Sequence, residues 1–195
     1  MEHIMSEKIC KYLLSINVIS QELFDIYIYG MELLLSFIIN TVIILLIGIV
    51  SGKILPTLIF LILFVAVRRF TGGFHANTYL KCKIITVGTY IAVLCLSSLY
   101  YPPTVIKMLC YLAGILLIAL FGPIENPNKP LDDNEKKLYK ILSLIVFFIL
   151  ALLSLVFENY VSSLCNTAFY TMSAIIALMI ISILKKETLK NEKTC

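Results

Sequence analysis

Six apolar runs joined by short polar segments restrict what this chain can fold into. The runs are Met31–Val50, Ile54–Val67, Ile84–Tyr100, Val105–Phe121, Leu138–Phe157 and Leu164–Leu184. A helix of about 20 apolar residues crosses the ~30 Å hydrocarbon core of a bilayer. Charged residues make up 14% of the chain, against about a quarter in a soluble domain. The sequence therefore predicts an all-α, polytopic membrane protein with about six transmembrane helices.

The second run is the weakest of these candidate spans. Ile54–Val67 is short and contains Pro56. It crosses a bilayer only if its ends extend into flanking residues or the bilayer thins locally. The pair Pro102-Pro103 predicts a tight turn that ends the third run.

The segment before the first run, residues 1–29, has apolar residues at roughly helical spacing with charged residues between them. This pattern predicts an amphipathic helix lying at the membrane surface. The segment lacks the pattern of a cleavable signal peptide, so we expect none. We predict one membrane-embedded domain: residues 1–29 as the interfacial helix, 30–184 as the transmembrane core and 185–195 as a basic cytoplasmic tail.

The basic residues predict the orientation of the chain. With six spans and the N-terminus inside, fourteen of the sixteen Lys and Arg residues fall on the inner side, leaving Lys53 and Lys107 near the outer side. Such asymmetry is what the positive-inside rule describes, and it predicts that both termini are cytoplasmic. Because the basic residues are spread over short loops, we expect no nucleic-acid partner.

The main polar interruption in the first half is Arg68–Cys82, which reads RRFTGGFHANTYLKC. A cysteine nucleophile with a histidine base needs the residue types that Cys82 and His75 provide. Positive charge nearby favours the reactive thiolate. The backbone N–H groups of Gly72 and Gly73 are suited to stabilising an oxyanion. These residues predict a cysteine acyl-transfer or protease site on the cytoplasmic side.

A non-catalytic interpretation fits the same residues. His75 and Cys82 would then be ordinary interfacial residues, with Arg68 and Arg69 anchored to lipid phosphates. Geometry adds a condition to the catalytic interpretation, because residues seven apart on a straight helix are about 10.5 Å apart along its axis. His75 can serve Cys82 only if the backbone bends between them or the site tightens around substrate.

The cysteines, the histidines and the polar residues of the first run bear on metal binding and helix contacts. The six cysteines form no CxxC pair, and the chain has two histidines, which argues against a disulfide framework or a zinc site. We expect no metal and no cofactor. Asn40 and Thr41 fall within the first run and are predicted to hydrogen-bond another helix or a second protomer. Glu32, near the start of that run, is expected to be interfacial.

The run RRFTGGFHANTYLKC resembles the signature of the AgrB family, the accessory gene regulator B proteins of Gram-positive quorum sensing. The segment FGPIENPNKPL, after the fourth apolar run, resembles a segment with prolines and lysines that this family carries. The likeness covers the core from about Arg68 to Leu131, and the predicted topology extends it to the whole chain.

The resemblance implies a cysteine endopeptidase of the bacterial cell membrane that removes the C-terminal tail of an AgrD-like propeptide. Cys82 would attack the peptide bond before the tail, and His75 would act as general base and acid. An internal Cys or Ser of the peptide would then attack the acyl-enzyme thioester and close a thiolactone or lactone ring. Arg69, Gly72 and Gly73 would be supporting positions.

The second polar loop, Gly122–Lys137, is predicted to face the same side as the motif. Its lysines Lys129, Lys136 and Lys137 are candidate substrate-binding residues, because lysines attract an acidic peptide tail. They also satisfy the positive-inside rule, which is an alternative reason for their presence. The carboxylates considered for a third catalytic position are Glu125, Asp132 and Asp133. We expect them instead to be solvated loop residues.

The expected partners are the propeptide, membrane lipids and a second copy of the chain in a homodimer. Two alternative functions were weighed, a small-peptide exporter and a non-enzymatic membrane assembly protein. A transporter would carry charges deep in its spans or paired broken helices, whereas the charges here lie near the ends of the runs. The motifs HExxH and GxSxG of other proteases do not occur in the sequence.

Overall fold

The computed structural model describes residues 2–71, 79–124 and 132–192 of the chain. The α-helices in these ranges are α1 (Glu2–Ser15), α2 (Phe24–Val50), α3 (Ile54–Thr71), α4 (Tyr79–Leu99), α5 (Thr104–Phe121), α6 (Asp133–Val156) and α7 (Ser162–Glu192). A short 3-10 helix, Gln21–Leu23, precedes α2. Six helices, α2 to α7, are long and apolar enough to cross a membrane. The predicted all-α architecture with six spans and a preceding helix is confirmed.

The N-terminal helix is shorter than the predicted stretch, because α1 ends at Ser15. Asn17 has a left-handed φ of 56°, a conformation that Asn tolerates better than most residues. The N–H of Val18 donates to the carbonyl of Leu13, and the N–H of Asn17 donates to that of Leu14, both at 3.0 Å. This Schellman arrangement satisfies the last carbonyls of α1 and stops the helix.

After this turn the chain reverses, and α1 packs along the first part of α2. His3 Nδ1 at the start of α1 lies 2.5 Å from Glu32 Oε1 in α2. The single helix predicted over 1–29 is therefore wrong in extent: its apolar spacing belongs to two helices that meet at a turn. Glu32, expected at the interface, is 8% exposed because α1 covers it.

Helix α3 is longer than the second apolar run. It begins at Ile54 and continues to Thr71, 18 residues in all, which corresponds to about 27 Å of helix. The extension into flanking residues is thus confirmed. Pro56 lies in the first turn, where a backbone N–H has no partner within the helix, so it does not interrupt α3.

The turn between α4 and α5 is held by a side chain from α7. Helix α5 follows directly on Pro103, as the Pro102-Pro103 pair predicted. The fully buried Asn166 donates from Nδ2 to the carbonyls of Ser97 at 2.7 Å and Tyr100 at 2.9 Å. These carbonyls stand in the last turn of α4 and just beyond it, where intrahelical donors run out. Asn166 therefore caps α4 from a neighbouring helix.

The core lies where α7 packs between α3, α4, α5 and α6. In α5, the ring of Tyr111 meets Phe147 and Phe169 edge-on, with centroids 6.3 and 5.7 Å apart. Gly114, one turn further along α5, allows Phe147 and Ile176 to approach the backbone closely. Small residues at helix contacts serve this purpose in membranes, where apolar burial alone does not drive helices together.

Gly114→Ala is expected to destabilise the protein. A Cβ at this position would lie 2.7 Å from Phe147 Cζ and closer still to Ile176 Cδ1. Overpacking of this kind costs about 1–3 kcal/mol, which exceeds the gain of up to ~1 kcal/mol from replacing a helical Gly by Ala. Thermal unfolding in detergent measures the change.

Gly88→Ala is the matched control, because a Cβ at Gly88 meets nothing within 4 Å. It should leave the unfolding temperature unchanged or raise it. Equal loss of stability in the two variants would contradict the packing described here.

A buried ion pair joins α5 to the segment after α6. Lys107, predicted near the outer side, does lie in the first turn of α5, but it is only 1% exposed. Its Nζ donates to Glu158 Oε1 at 2.6 Å and lies 6.0 Å from the centroid of the Phe169 ring. A buried charge is costly unless it is paired, so Glu158 is what permits Lys107 to be buried.

Glu158→Gln is expected to destabilise the protein by about 3 kcal/mol, because Lys107 is left as an uncompensated buried charge. The double variant Lys107→Met/Glu158→Leu removes both charges and should regain most of that loss. Thermal unfolding of the three proteins in the same detergent tests this. A double variant less stable than Glu158→Gln would show that the pair itself is not the cause.

Candidate active site

Cys82 lies in the first turn of α4, where it meets the last turn of α3. Its side chain is half-buried. The guanidinium of Arg68 in α3 interacts electrostatically with Cys82 and lies over the ring of Phe64 at 5.0 Å. The thiol is thus placed near the positive charge of a guanidinium.

A cavity of about 350 Å³ opens beside Cys82, between α2, α3 and α4. Arg68, Arg69 and Cys82 line one end of it, and Ile44 and Phe60 lie further along. The remaining lining is mainly apolar and comprises Leu33, Ser36, Phe37, Asn40, Thr41, Leu61, Phe64, Val65 and Thr86. The cavity thus combines a thiol and two cations at one end with apolar walls, an arrangement that suits an amphipathic molecule.

The α2 wall of the cavity carries a polar stripe at helical spacing. Ser36 and Asn40 are four residues apart and both line the cavity. Asn40 Oδ1 is buried and accepts no hydrogen bond within the described ranges. Thr41, predicted to bond another helix or a second protomer, donates from its hydroxyl to the Phe37 carbonyl of its own helix at 2.9 Å. Its bond to a second protomer stays a prediction. Thr86 similarly donates to the Cys82 carbonyl at 2.9 Å.

Part of the predicted site falls outside the described residues. His75, Gly72 and Gly73 belong to the segment 72–78, so the predicted pairing of His75 with Cys82 stays a prediction. Of the predicted motif residues, Arg69 and Cys82 are brought to the same cavity. The resemblance places Arg69 in the supporting set, and Arg68, which lines the same cavity, lies close enough to Cys82 for their charges to interact.

The second polar loop begins at the same end of the bundle. The Ile124 N–H donates to the Thr71 carbonyl at the end of α3, at 3.0 Å. The rings of Phe70 in α3 and Tyr139 in α6 lie 6.2 Å apart. The described ends of this loop and of the motif therefore lie at one end of the bundle.

The predicted lysines of this loop are placed unequally. Lys136 and Lys137 stand in the first turns of α6, where Lys137 is exposed and Lys136 lies 3.5 Å from Asp133. Lys129 is outside the described residues, so its predicted role stays a prediction. Neither Lys136 nor Lys137 lines the cavity beside Cys82.

Two of the carboxylates considered as a third catalytic group, Asp132 and Asp133, lie at the start of α6. The Asp132 N–H donates to Glu135 Oε2 at 3.2 Å, an arrangement that caps the start of α6. Asp133 pairs with Lys136 one turn on. Both carboxylates are exposed, in agreement with the expectation of a solvated loop. Glu125 falls outside the described residues.

The other cysteines of the described ranges lie in different surroundings. Cys10 in α1 is fully buried, and burial raises the pKa of its thiol. Cys165 is buried beside the ion pair of Lys107 and Glu158. Cys95 and Cys110 lie within the spans α4 and α5. A nucleophile requires positive charge and access to substrate, and among these cysteines Cys82 lies with the two arginines at the cavity.

Sequence reasoning missed three cavity residues. Arg68 was treated as part of a general positive field, although it lines the same cavity as Cys82. Ser36 and Thr86 were not considered at all. The spacing of Ser36 and Asn40 within an otherwise apolar run was the available signal, because two polar residues on one face of a span mark an interior surface.

Comparison with known proteins gives matches in one family. The family model described as Accessory gene regulator B matches residues 6–186. The chain is 27% identical over 120 residues to Putative AgrB-like protein 2 of Clostridium perfringens, covering 58% of this chain and 56% of that protein. It is 24% identical over 137 residues to Protein FsrB of Enterococcus faecalis, covering 69% and 57%. The match to Accessory gene regulator protein B of Staphylococcus haemolyticus is 23% identical over 125 residues, covering 64% and 66%.

The chain thus spans little more than half the length of the first two of these relatives. No solved structure matches the chain.

Arg68→Gln is expected to slow alkylation of Cys82 by a maleimide up to about fivefold, as for the ~0.2–1 kcal/mol of a partly exposed charge pair. The reason is that the thiolate is the reacting form and the variant loses a nearby positive charge. Mass spectrometry of protein alkylated for increasing times measures the rate at each cysteine. Arg69→Gln, at an exposed neighbour, should have a smaller effect, and a rate unchanged by Arg68→Gln would contradict the described electrostatics.

Proposed function

We propose, from the premise that this chain belongs to the accessory gene regulator B family, that it is a membrane cysteine endopeptidase of a quorum-sensing system. Its substrate would be an AgrD-like propeptide, from which it removes the C-terminal tail. The observation that carries this proposal is the position of Cys82, held with Arg68 and Arg69 at the mouth of an apolar cavity.

The proposed reaction uses Cys82 as nucleophile and His75 as general base and acid. Cys82 Sγ attacks the carbonyl carbon of the peptide bond before the tail while His75 accepts the thiol proton. The C–N bond then breaks, and the tail leaves as an amine after His75 returns the proton. The product of this half-reaction is a thioester between Cys82 and the remaining peptide.

The second half-reaction would close the ring. A Cys or Ser side chain of the bound peptide loses its proton to His75 and attacks the thioester carbonyl. The bond to Cys82 Sγ breaks, the thiol of Cys82 is regenerated, and the peptide leaves as a thiolactone or lactone. Exchanging an amide for a thioester is uphill in water, so removal of the tail must help to drive the sequence.

The supporting roles follow from position and charge. Arg69 shares the cavity mouth with Cys82, and the backbone of Gly72 and Gly73 is proposed to stabilise the oxyanion. Lys129, Lys136 and Lys137 are proposed to attract the acidic tail of the propeptide. Helix α6 begins at the same end of the bundle as the site, which supports this for Lys136 and Lys137.

The proposed setting is the bacterial cell membrane, with both termini and the active site on the cytoplasmic side. The six apolar helices support the membrane location, and the basic residues of the loops support the orientation. A cytoplasmic site suits a reactive thiol, because this compartment keeps thiols reduced. We further propose that the chain works as a homodimer among membrane lipids.

Co-expression of this protein with an AgrD-like propeptide tests the proposed function. Wild type should release the C-terminal tail, as measured by mass spectrometry of the peptide. Cys82→Ser, Cys82→Ala and His75→Ala should each lower processing by at least about a hundredfold, as loss of a nucleophile or a general base does. Cys95→Ser, at another cysteine of α4, is the matched control and should process normally.

Processing by Cys82→Ala at the wild-type rate would overturn the proposal, because that variant has no nucleophile at this position. The alternative of a small-peptide exporter would then be favoured. An exporter predicts that the uncut propeptide crosses the membrane in a manner dependent on this protein.

A further inference from the structure

We propose that the cavity between α2, α3 and α4 holds the part of the peptide that stays bonded to Cys82, with Asn40 hydrogen-bonded to its backbone. This inference rests on the proposed function and assigns a substrate class to the site: an extended peptide segment with apolar side chains before the cleaved bond. The cavity is hereafter called the acyl cavity, and its lining is that given above for the 350 Å³ space beside Cys82.

The depth of the acyl cavity suits several residues of peptide. Along α3 its lining runs from Arg69 at the mouth back to Phe60, nine residues of helix or about 13 Å. An extended chain rises about 3.3 Å per residue, so up to about four residues reach from Cys82 to the level of Phe60. The lining there consists of Ile44, Phe60 and Phe64, which favours aliphatic or aromatic side chains over charged ones.

The side-chain amide of Asn40 indicates what kind of molecule binds at its level in the acyl cavity. Its Oδ1 is buried and has no partner among the residues that the structure describes. An unsatisfied polar atom in a membrane interior is costly, because hydrocarbon cannot supply the missing bond. A side-chain amide offers an acceptor and two donors, which match the N–H and C=O of a peptide backbone. A bound backbone would satisfy Asn40, and Asn40 would in turn satisfy the backbone.

A lipid is the main competing occupant, since the arginines at the mouth would suit a phosphate and the walls would suit an acyl chain. An acyl chain, however, leaves Asn40 Oδ1 without a partner at its depth. A transmembrane helix from a second copy, which the sequence also predicts as a partner of Asn40, brings backbone groups already bonded within that helix, so it satisfies Asn40 only through a polar side chain and leaves the thiol without a substrate. An extended peptide is the one occupant that fits the apolar walls, hydrogen-bonds the Asn40 amide and reaches the thiol of Cys82.

Binding of the Cys82-bonded peptide segment in the acyl cavity also suits the chemistry of the thioester intermediate. The tail must leave after cleavage, whereas the acyl segment must stay attached to Cys82 until its own nucleophile attacks. Apolar walls around that segment exclude water and slow hydrolysis of the thioester. The opposite placement, with the tail in the cavity, would leave the thioester facing the loops.

Site-specific photocrosslinking tests the location in the Cys82→Ala variant, which binds but cannot react. A benzoylphenylalanine replaces Phe37, which lines the acyl cavity, or the adjacent Ile38, which does not. The two positions are similarly exposed, at 50% and 46%, so they form a matched pair. The propeptide should crosslink at Phe37 at least about ten times more than at Ile38.

Equal crosslinking at the two positions, or crosslinking of Phe37 to lipid alone, would overturn the inference. The result is independent of catalysis. Crosslinking at Phe37 together with normal processing by Cys82→Ala would overturn the endopeptidase proposal but leave the binding site in place.

Asn40→Leu tests the hydrogen bond. We expect propeptide binding to weaken up to about tenfold, as for one buried hydrogen bond, while maleimide alkylation of Cys82 keeps its wild-type rate. If the substitution only disturbed the structure of the cavity, propeptide binding and the alkylation rate of Cys82 would both change. The control is Thr89→Val: Thr89 in α4 donates to its own Ile85 carbonyl at 2.7 Å and does not line the cavity. Wild-type binding by Asn40→Leu would overturn the assigned role.

Should Asn40→Leu fail to fold, Phe64→Ala gives a second test in the same cavity. Enlarging this wall should allow a propeptide with a larger apolar residue before the cleaved bond to compete better against the natural one. No change in this preference would overturn the substrate class.

Discussion

Hydrocarbon offers no hydrogen-bond partner, and the polar groups of this chain are arranged under that constraint. Backbone groups are satisfied inside helices, and several hydroxyls donate back to the carbonyl one turn earlier, among them those of Thr57, Thr71 and Thr86. The buried Lys107 has Glu158 as its partner, and Asn166 caps α4. Within the described ranges, two buried side-chain oxygens lack a partner, Asn40 Oδ1 and Asn166 Oδ1. Of the two, Asn40 lines the cavity beside Cys82, which is why we assign that cavity a ligand.

The topology explains how residues far apart in sequence come to one place. Helices α3 and α5 end, and α4 and α6 begin, at the same end of the bundle. The bond from Ile124 to Thr71 and the contact of Phe70 with Tyr139 join these ends. The cysteine at the start of α4 therefore meets the arginines at the end of α3, and the lysines of α6 lie at the same end. Under the proposed function, this end receives the tail and the acyl cavity retains the rest of the peptide.

The spans and the position of Cys82 could be predicted because hydrophobic length and residue type determine them directly. The break at Asn17 could not, since apolar spacing continues through it and a left-handed turn leaves little trace in the periodicity. Burial of Lys107 depends on Glu158, fifty-one residues later, and a pairing over that separation is not visible in local patterns. The position of Arg68 near Cys82 could not be predicted, because the sequence does not show which face of α3 meets Cys82. His75 lies outside the described residues, so its part in the site still rests on the family resemblance.

The most direct test of the account is to trap the acyl-enzyme. Purified protein is mixed with propeptide for less than one turnover, quenched in acid and measured by intact mass, then digested to locate the added group. The account predicts a mass increase equal to the peptide without its tail, attached to Cys82 and removed by hydroxylamine as a thioester is. Release of the tail with no adduct, or an adduct on Cys95 or Cys110 instead, would contradict it.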